Sequence, residues 1–287
     1  MCGITGVVSF GETFLDVDRL KGMVDVVAHR GPDDAGYLVW QTGCHHRRGV
    51  SYGQAFTDSR FRSVSPLLPI IDSTAGREML HSEKWNLFLG HRRLAILDLS
   101  SRGHQPMSEK TRKVWVVHSG EIYNFQEIRE ELIKHGHSFA SRTDTEVLIH
   151  AYEEWGIECV KRFNGMFAFA LWDAVSGKLF LARDRCGLKP LYYLIDDEKM
   201  VFGSEIKSIL SYPVKKTDLD LLALNEYFSF QNVFSDRTLF AGVRLLPPGT
   251  IFTVDVRTGR ADQYRYWDFD FSRESSASED ALVEELY

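Results

Sequence analysis

Met1-Cys2-Gly3-Ile4-Thr5-Gly6-Val7-Val8 opens the chain, and its reading decides the fold. Cys2–Val8 reads as a buried strand that runs on to Phe10. Its two glycines mark a bend or a close approach of another backbone. Cys2 stands where that strand begins, so it also reads as a small apolar residue in a core. A second possibility is chemical. Aminopeptidases remove an initiator methionine when its neighbour is small, and cysteine is small. Trimming would leave the Cys2 thiol beside a free α-amine with a pKa of roughly 7.7–8.0. Such an amine can take the thiol's proton, so one residue would carry both nucleophile and base.

Composition limits what that chemistry can serve. The 287 residues are 44% hydrophobic and 26% charged, as in a water-soluble globular protein with a normal core. A net charge of −6 does not favour nucleic acid. No apolar run is long enough for a membrane span. The amino terminus lacks the basic and apolar segments of a secretory signal, and the expected location is the cytoplasm. Cys2, Cys44, Cys159 and Cys186 form no C-x-x-C pair. That supports neither a zinc knuckle nor a redox dithiol, and the last three read as ordinary thiols in a reducing compartment. His45-His46-Arg47-Arg48 puts two histidines side by side, but neighbours on a strand point apart, so a solvated loop is expected there and no metal.

Outward from the first strand, Leu20, Met23, Val24 and Val27 recur at helical spacing. His29-Arg30-Gly31-Pro32-Asp33-Asp34 ends that helix, and Ala35–Trp40 is the next strand. Residues 41–84 are the least regular part and are expected to form a surface insertion covering the mouth of the site. Residues 86–98 return to strand, interrupted by Arg92 and Arg93. Alternation sends two neighbours to opposite faces, so one of the pair should point inward and need an anion. Gly103-His104-Gln105-Pro106 is a turn. A strand over Lys113–His118 leads into Ser119-Gly120-Glu121-Ile122-Tyr123-Asn124, then a helix over Phe125–His135 with Asn124 as its N-cap. Asp144 reads as the N-cap of a helix whose apolar face holds Val147, Leu148, Ala151, Tyr152 and Trp155.

The rest alternates hairpins and short helices. Phe163–Asp173 and Lys178–Arg183 pair around Ser176-Gly177, and Leu191–Ile195 pairs with Met200–Phe202. Ser204 is expected to cap a short helix, and another covers Leu219–Phe228. Asp236–Val243 and Thr250–Val256 are expected as strands, and Tyr264–Phe271 as a last extended piece. A Ser-rich stretch, Ser272–Ser278, reads as a linker before a helix that starts at Ser278.

Taken in order, Cys2-Gly3-Ile4, His29-Arg30-Gly31-Pro32-Asp33, Arg92-Arg93-Leu94, Gly120-Glu121-Ile122-Tyr123-Asn124, Asp144 and Phe163-Asn164-Gly165-Met166-Phe167 resemble the class II glutamine amidotransferase domain. The likeness runs from Cys2 to about Phe269 and is strongest to the glutaminase half of glutamine-dependent asparagine synthetases. It implies an α+β fold, a four-layer αββα sandwich of the N-terminal nucleophile hydrolase type. Residues 1–271 would be the glutaminase domain, with Met1 removed, and 272–287 a linker and the start of a synthetase domain. That domain's Ser-Gly-Gly pyrophosphate loop is not among these residues, so an excised or truncated piece is expected.

By the same resemblance Cys2 is the nucleophile and Arg93 grips the substrate α-carboxylate. Asp144 binds the α-ammonium with Glu121 sharing the work, and Leu94, Ile96 and Leu97 line the site. The family's oxyanion hole uses an Asn side chain and the next Gly N–H. Gly120 matches the glycine, but Ser119 stands where the family has Asn. A serine hydroxyl can donate from a shorter stem, and loss of such a donor costs roughly 10²–10³ in rate. A weakened enzyme, a relocated donor and a glutamine-binding scaffold therefore stay open. So does the glutaminase of another class II transferase, one making an amino sugar, a nucleotide precursor or a modified polymer. No cofactor or metal is expected in this domain, and ATP and Mg²⁺ only in the synthetase domain. The expected partners are L-glutamine and a synthetase domain in cis or trans, with room for a homodimer and no role for nucleic acid or membrane.

Overall fold

The computed structural model describes residues 1–11, 13–43, 51–215, 217–272 and 277–286. In chain order the elements are β1 (Gly3–Ser9), α1 (Val17–Asp25), β2 (Asp34–Gln41), β3 (Tyr52–Thr57), α2 (Thr74–His81), β4 (Leu87–Arg93), β5 (Met107–Ser108) and β6 (Val114–Ile122). Then follow α3 (Phe125–Lys134), α4 (Asp144–Trp155), β7 (Gly165–Asp173), β8 (Lys178–Arg183), β9 (Tyr192–Ile195), β10 (Lys199–Gly203) and α5 (Ile206–Leu210). The last are α6 (Leu221–Phe230), β11 (Arg244–Leu245), β12 (Thr250–Asp255), β13 (Ala261–Arg265) and α7 (Glu279–Leu286).

The strands form two antiparallel sheets, ordered β11-β9-β10-β1-β4-β2-β3 and β13-β12-β8-β7-β6-β5. Period-two alternation gives the central strands two buried faces. In β1, Ile4 and Val8 face the second sheet, where they join Leu38, Leu89, Val117, Ala170 and Leu181. Trp40 crosses between the sheets and meets Trp115 and Trp172 edge-on, each at 6.3 Å between ring centres. Val7 faces the other way, into a core with Leu20, Met23 and Val24 of α1, Leu80 of α2 and Ile209 of α5. On the far side Val116, Phe169 and Leu171 pack against Ile128 and Leu132 of α3 and Val147 and Leu148 of α4. Three cores separate four layers, the αββα arrangement.

β1 is central in its sheet. It pairs with β4 (Gly3 opposite Arg92) and with β10 (Thr5 opposite Gly203), so Cys2 sits at the end of a strand held on both sides.

Several local expectations are corrected. Residues 51–84 are not a loose insertion over the site: β3 adds to the sheet edge, and Phe56, Ile71 and Leu80 are buried in the α1 core. His45-His46-Arg47-Arg48 and Cys44 lie outside the described residues. Asp236–Val243 is no strand. It makes only single bridges, Leu219 with Phe240 and Arg237 with Arg244, because the chain is turning around α6. The extended piece is β13, starting at Ala261 and closing a hairpin with β12. Asn124 occupies the N-cap position of α3 without capping it. Its amide instead donates to Arg162 O and accepts from Asn164 N. The Ser204 hydroxyl accepts from Ile4 N, so α5 starts without its help.

Candidate active site

Cys2 opens the site at the end of β1. Its carbonyl accepts two hydrogen bonds, from Arg30 Nε at 3.0 Å and from Ser119 Oγ at 2.8 Å. The Arg30-Gly31-Pro32 turn therefore supports the Cys2 strand directly. Gly31 is required there, since a Cβ would stand 2.4 Å from the Arg92 carbonyl. The Cys2 thiol lies against the Leu94 backbone, with Leu94 N–H donating to Sγ at 3.3 Å and Sγ 3.6 Å from Leu94 O. Burial pushes the thiol's pKa up, against the Leu94 hydrogen bond and the Arg93 charge, which pull it down. A thiol so placed needs a base.

A cleft of about 340 Å³, open to solvent, is lined by Cys2, Arg93, Leu94, Ile96, Leu97, Gly120, Glu121 and Asp144. Every candidate read from the sequence reaches it except Ser119, whose hydroxyl is committed to the Cys2 carbonyl. That hydroxyl holds the Cys2 backbone.

Arg92 and Arg93 are both buried, 3% and 4% exposed, rather than one in and one out. Arg92 donates to Gly31 O and lies over the Phe61 ring. Among the described residues Arg93 makes no ion pair, although, after the Ser100 hydroxyl's hydrogen bond, its charge helps to lower the Asp98 pKa. Its guanidinium donates to the carbonyls of Leu97, Asp98 and Ser100, so the 94–100 loop wraps it. Gly103 makes room, because a Cβ there would meet Arg93 Nη2 at 1.9 Å. Carbonyls orient the fork without cancelling its charge, which leaves a cation lining the cleft.

The opposite wall is acidic. Asp144 is the first residue of α4. Its N-cap is Thr143, whose hydroxyl accepts from Glu146 N, so the capping reading of Asp144 is corrected. Asp144 Oδ2 accepts from Ile122 N at 2.9 Å. Burial and the Asp144 charge raise the Glu121 pKa to about 7, despite the opposing charge of Lys189. Gly120 brings Glu121 to this wall with φ of +151°; a Cβ there would stand 2.1 Å from Met166 O. Only glycine fits.

Sequence reasoning missed Gly103, Gln105, His118, Thr143, Thr145 and Lys189. His118 and Gly120 are two apart on β6, so strand alternation was the available signal. Gln105 Oε1 accepts from His118 N, and its Nε2 donates to Thr145 Oγ1. The Thr145 hydroxyl lies 3.2 Å from His118 Nδ1. The other ring nitrogen, Nε2, is buried and has no partner. Burial lowers the His118 pKa, so the ring is neutral. Lys189, only 6% exposed, donates to Met1 Sδ at 3.0 Å.

Comparison with known proteins agrees with this geometry. A family model described as a glutamine amidotransferase domain matches residues 73–267. An asparagine synthetase [glutamine-hydrolyzing] 3 of Bacillus subtilis is 33% identical over 99% of this chain and 39% of its own length. A putative asparagine synthetase [glutamine-hydrolyzing] of Mycobacterium bovis is 39% identical over 83% of this chain and 31% of its own. This chain thus spans well under half the length of either. Among solved structures, the glutamine phosphoribosylpyrophosphate amidotransferase of B. subtilis superposes with a TM-score of 0.62 at 17% identity, over 93% of this chain and 49% of that one. At that identity the likeness speaks for the fold alone.

Proposed function

This chain belongs to the glutamine amidotransferase domain family, and from that premise we propose that it hydrolyses the side-chain amide of L-glutamine with Cys2 as nucleophile. The supporting observation is that the Cys2 sulfur shares one cleft with a cation on one wall, Arg93, and carboxylates on the other, Glu121 and Asp144. A free amino acid carries both charges. Arg93 takes the α-carboxylate, and Asp144 with Glu121 takes the α-ammonium, which presents the side-chain amide to the sulfur.

Removal of Met1 frees the Cys2 amine. The amine takes the thiol proton, the sulfur bonds to the amide carbon, and the carbonyl π pair moves to oxygen. As the tetrahedral intermediate collapses, the C–N bond breaks and the amine's proton leaves with ammonia. Water, deprotonated by the same amine, then cleaves the thioester to glutamate. The developing oxyanion meets Gly120 N–H and, in place of the family's amide, the unpartnered His118 Nε2–H. Ammonia passes to a synthetase-type domain in cis or trans, to which any ATP and Mg²⁺ chemistry belongs. The apolar surface on and beside α6 supports such a neighbour: Leu221, Leu222, Phe228, Phe230 and Phe234 are all exposed, Phe228 by 76%.

The test is glutamate release by the Met1-free chain. Release that survives Cys2→Ala removes the nucleophile from the scheme. A second reading, glutamine binding without turnover, rests on the committed Ser119 hydroxyl. It requires that glutamine raise the melting temperature while no glutamate appears.

A further inference from the structure

We propose a second site, for a divalent transition metal ion of the zinc type, built by His137, His150 and Glu153 away from the cleft. His137 follows α3, while His150 and Glu153 are three apart on one face of α4. The two Nδ1 atoms stand 3.2 Å apart. Glu153 Oε2 lies 2.6 Å from His150 Nδ1 and 3.7 Å from His137 Nδ1. All three donor atoms fall within 4.8 Å of one another. A tetrahedral zinc ion with bonds of 2.0–2.1 Å sets its ligands about 3.3 Å apart. Two of the three separations are close to that, and the third opens by about 0.7 Å on binding.

What lies behind the rings strengthens the assignment. His137 Nε2 is hydrogen-bonded to Glu154 Oε2 at 3.1 Å, and His150 Nε2 faces Glu146 Oε1 at 3.9 Å. Glu146 is itself anchored by Ala140 N, Ser141 N and the Ser141 hydroxyl. Carboxylates behind two imidazoles are the outer shell that metal-binding histidines commonly have. Without an ion, His150 Nδ1–H donates to Glu153 Oε2, and, against burial, the flanking glutamates raise the His150 pKa to about 9, so an ion bound here takes that proton's place. Three neighbouring glutamates also make the local field favourable to a dication.

The ion ties the loop after α3 to α4, the helix whose first turn brings Asp144 and Thr145 to the cleft. His150 is six residues along that helix from Asp144, about 9 Å along its axis. The role is structural, and the assignment stands whether or not glutamine is the substrate.

The experiment uses the untagged full chain, stripped with a chelator and titrated with Co²⁺, read by visible d–d absorption. Wild type should show a band that saturates at a single equivalent, is displaced by Zn²⁺ and persists in Cys2→Ala. His150→Ala should lose it, and Glu154→Gln should weaken Co²⁺ binding roughly 10- to 100-fold. No band in wild type, or a band lost in Cys2→Ala, overturns the proposal. If His150→Ala does not fold, Glu153→Gln at its exposed position decides: unchanged Co²⁺ affinity overturns the site, and weakened affinity supports it.

Discussion

Two of the regions where this molecule buries charge do so in opposite ways. Around β8, Asp184 is fully buried and its carboxylate accepts from Phe167 N, Cys186 N, Leu188 N and Lys189 N. Its neighbour Arg183 donates to the carbonyls of Lys189, Leu246 and Gly187. At the cleft, by contrast, His118 Nε2 has no partner, and Glu121 is pushed to about 7 by burial beside Asp144. Polar groups satisfied by the chain hold the chain; those left short are available to something that arrives.

The comparison breaks first at Cys2. Cys2→Ser in the Met1-free protein should lower glutamate release by on the order of 10⁴-fold or more, with an unchanged melting temperature. A loss of less than tenfold would remove Cys2 from the cleft's chemistry.

Next, matched substitutions in the two regions should separate function from stability. Arg93→Lys keeps a charge but loses the planar fork, and should lower kcat/KM for glutamine by about 10²-fold with little change in melting. Asp184→Ala strands four N–H donors, those of Phe167 and Lys189 buried, and should cost about 3 kcal/mol or more in denaturant unfolding, while the folded fraction keeps its kcat. The reverse pattern would refute the distinction.

The pH profile sharpens it further. Glu121 must be a carboxylate to hold the α-ammonium, and the Cys2 amine must be neutral to act as base. Protons therefore inhibit at both groups. Below about pH 7, log kcat/KM should fall with a slope of two, the Glu121 limb lying near 7 and the amine limb near 7.7–8.0. In Glu121→Gln the slope should drop to one. A slope of two in both proteins assigns the second proton elsewhere.

The smallest effect is expected at Ser119. Ser119→Ala removes one of two donors to the Cys2 carbonyl and leaves Arg30 in place. A loss of about fivefold in kcat, roughly 1 kcal/mol, is expected. A loss of 10²–10³ would return Ser119 to the oxyanion.

Much of this was legible before any coordinates. Strand alternation and turn chemistry give β1, β2 and the β7–β8 and β9–β10 hairpins within a residue or two, because those signals are local. What failed was set by distant groups. The Ser119 hydroxyl finds a partner 117 positions away. Arg93 is satisfied by carbonyls that become available only when the 94–100 loop closes. Asn124 and Ser204 have capping chemistry, yet tertiary partners claim their side chains. The pairing of His137 with His150 crosses a loop whose path spacing does not reveal.

The register of β1 also sets a schedule. Ile4 donates to the Ser204 hydroxyl, and Thr5 sits opposite Gly203. During synthesis β1 therefore gains one of its two flanking partners only after some two hundred more residues. At roughly 5–20 residues per second, that is a wait of about 10–40 s. Throughout it β1 is free of β10, and one edge of the central strand waits unpaired.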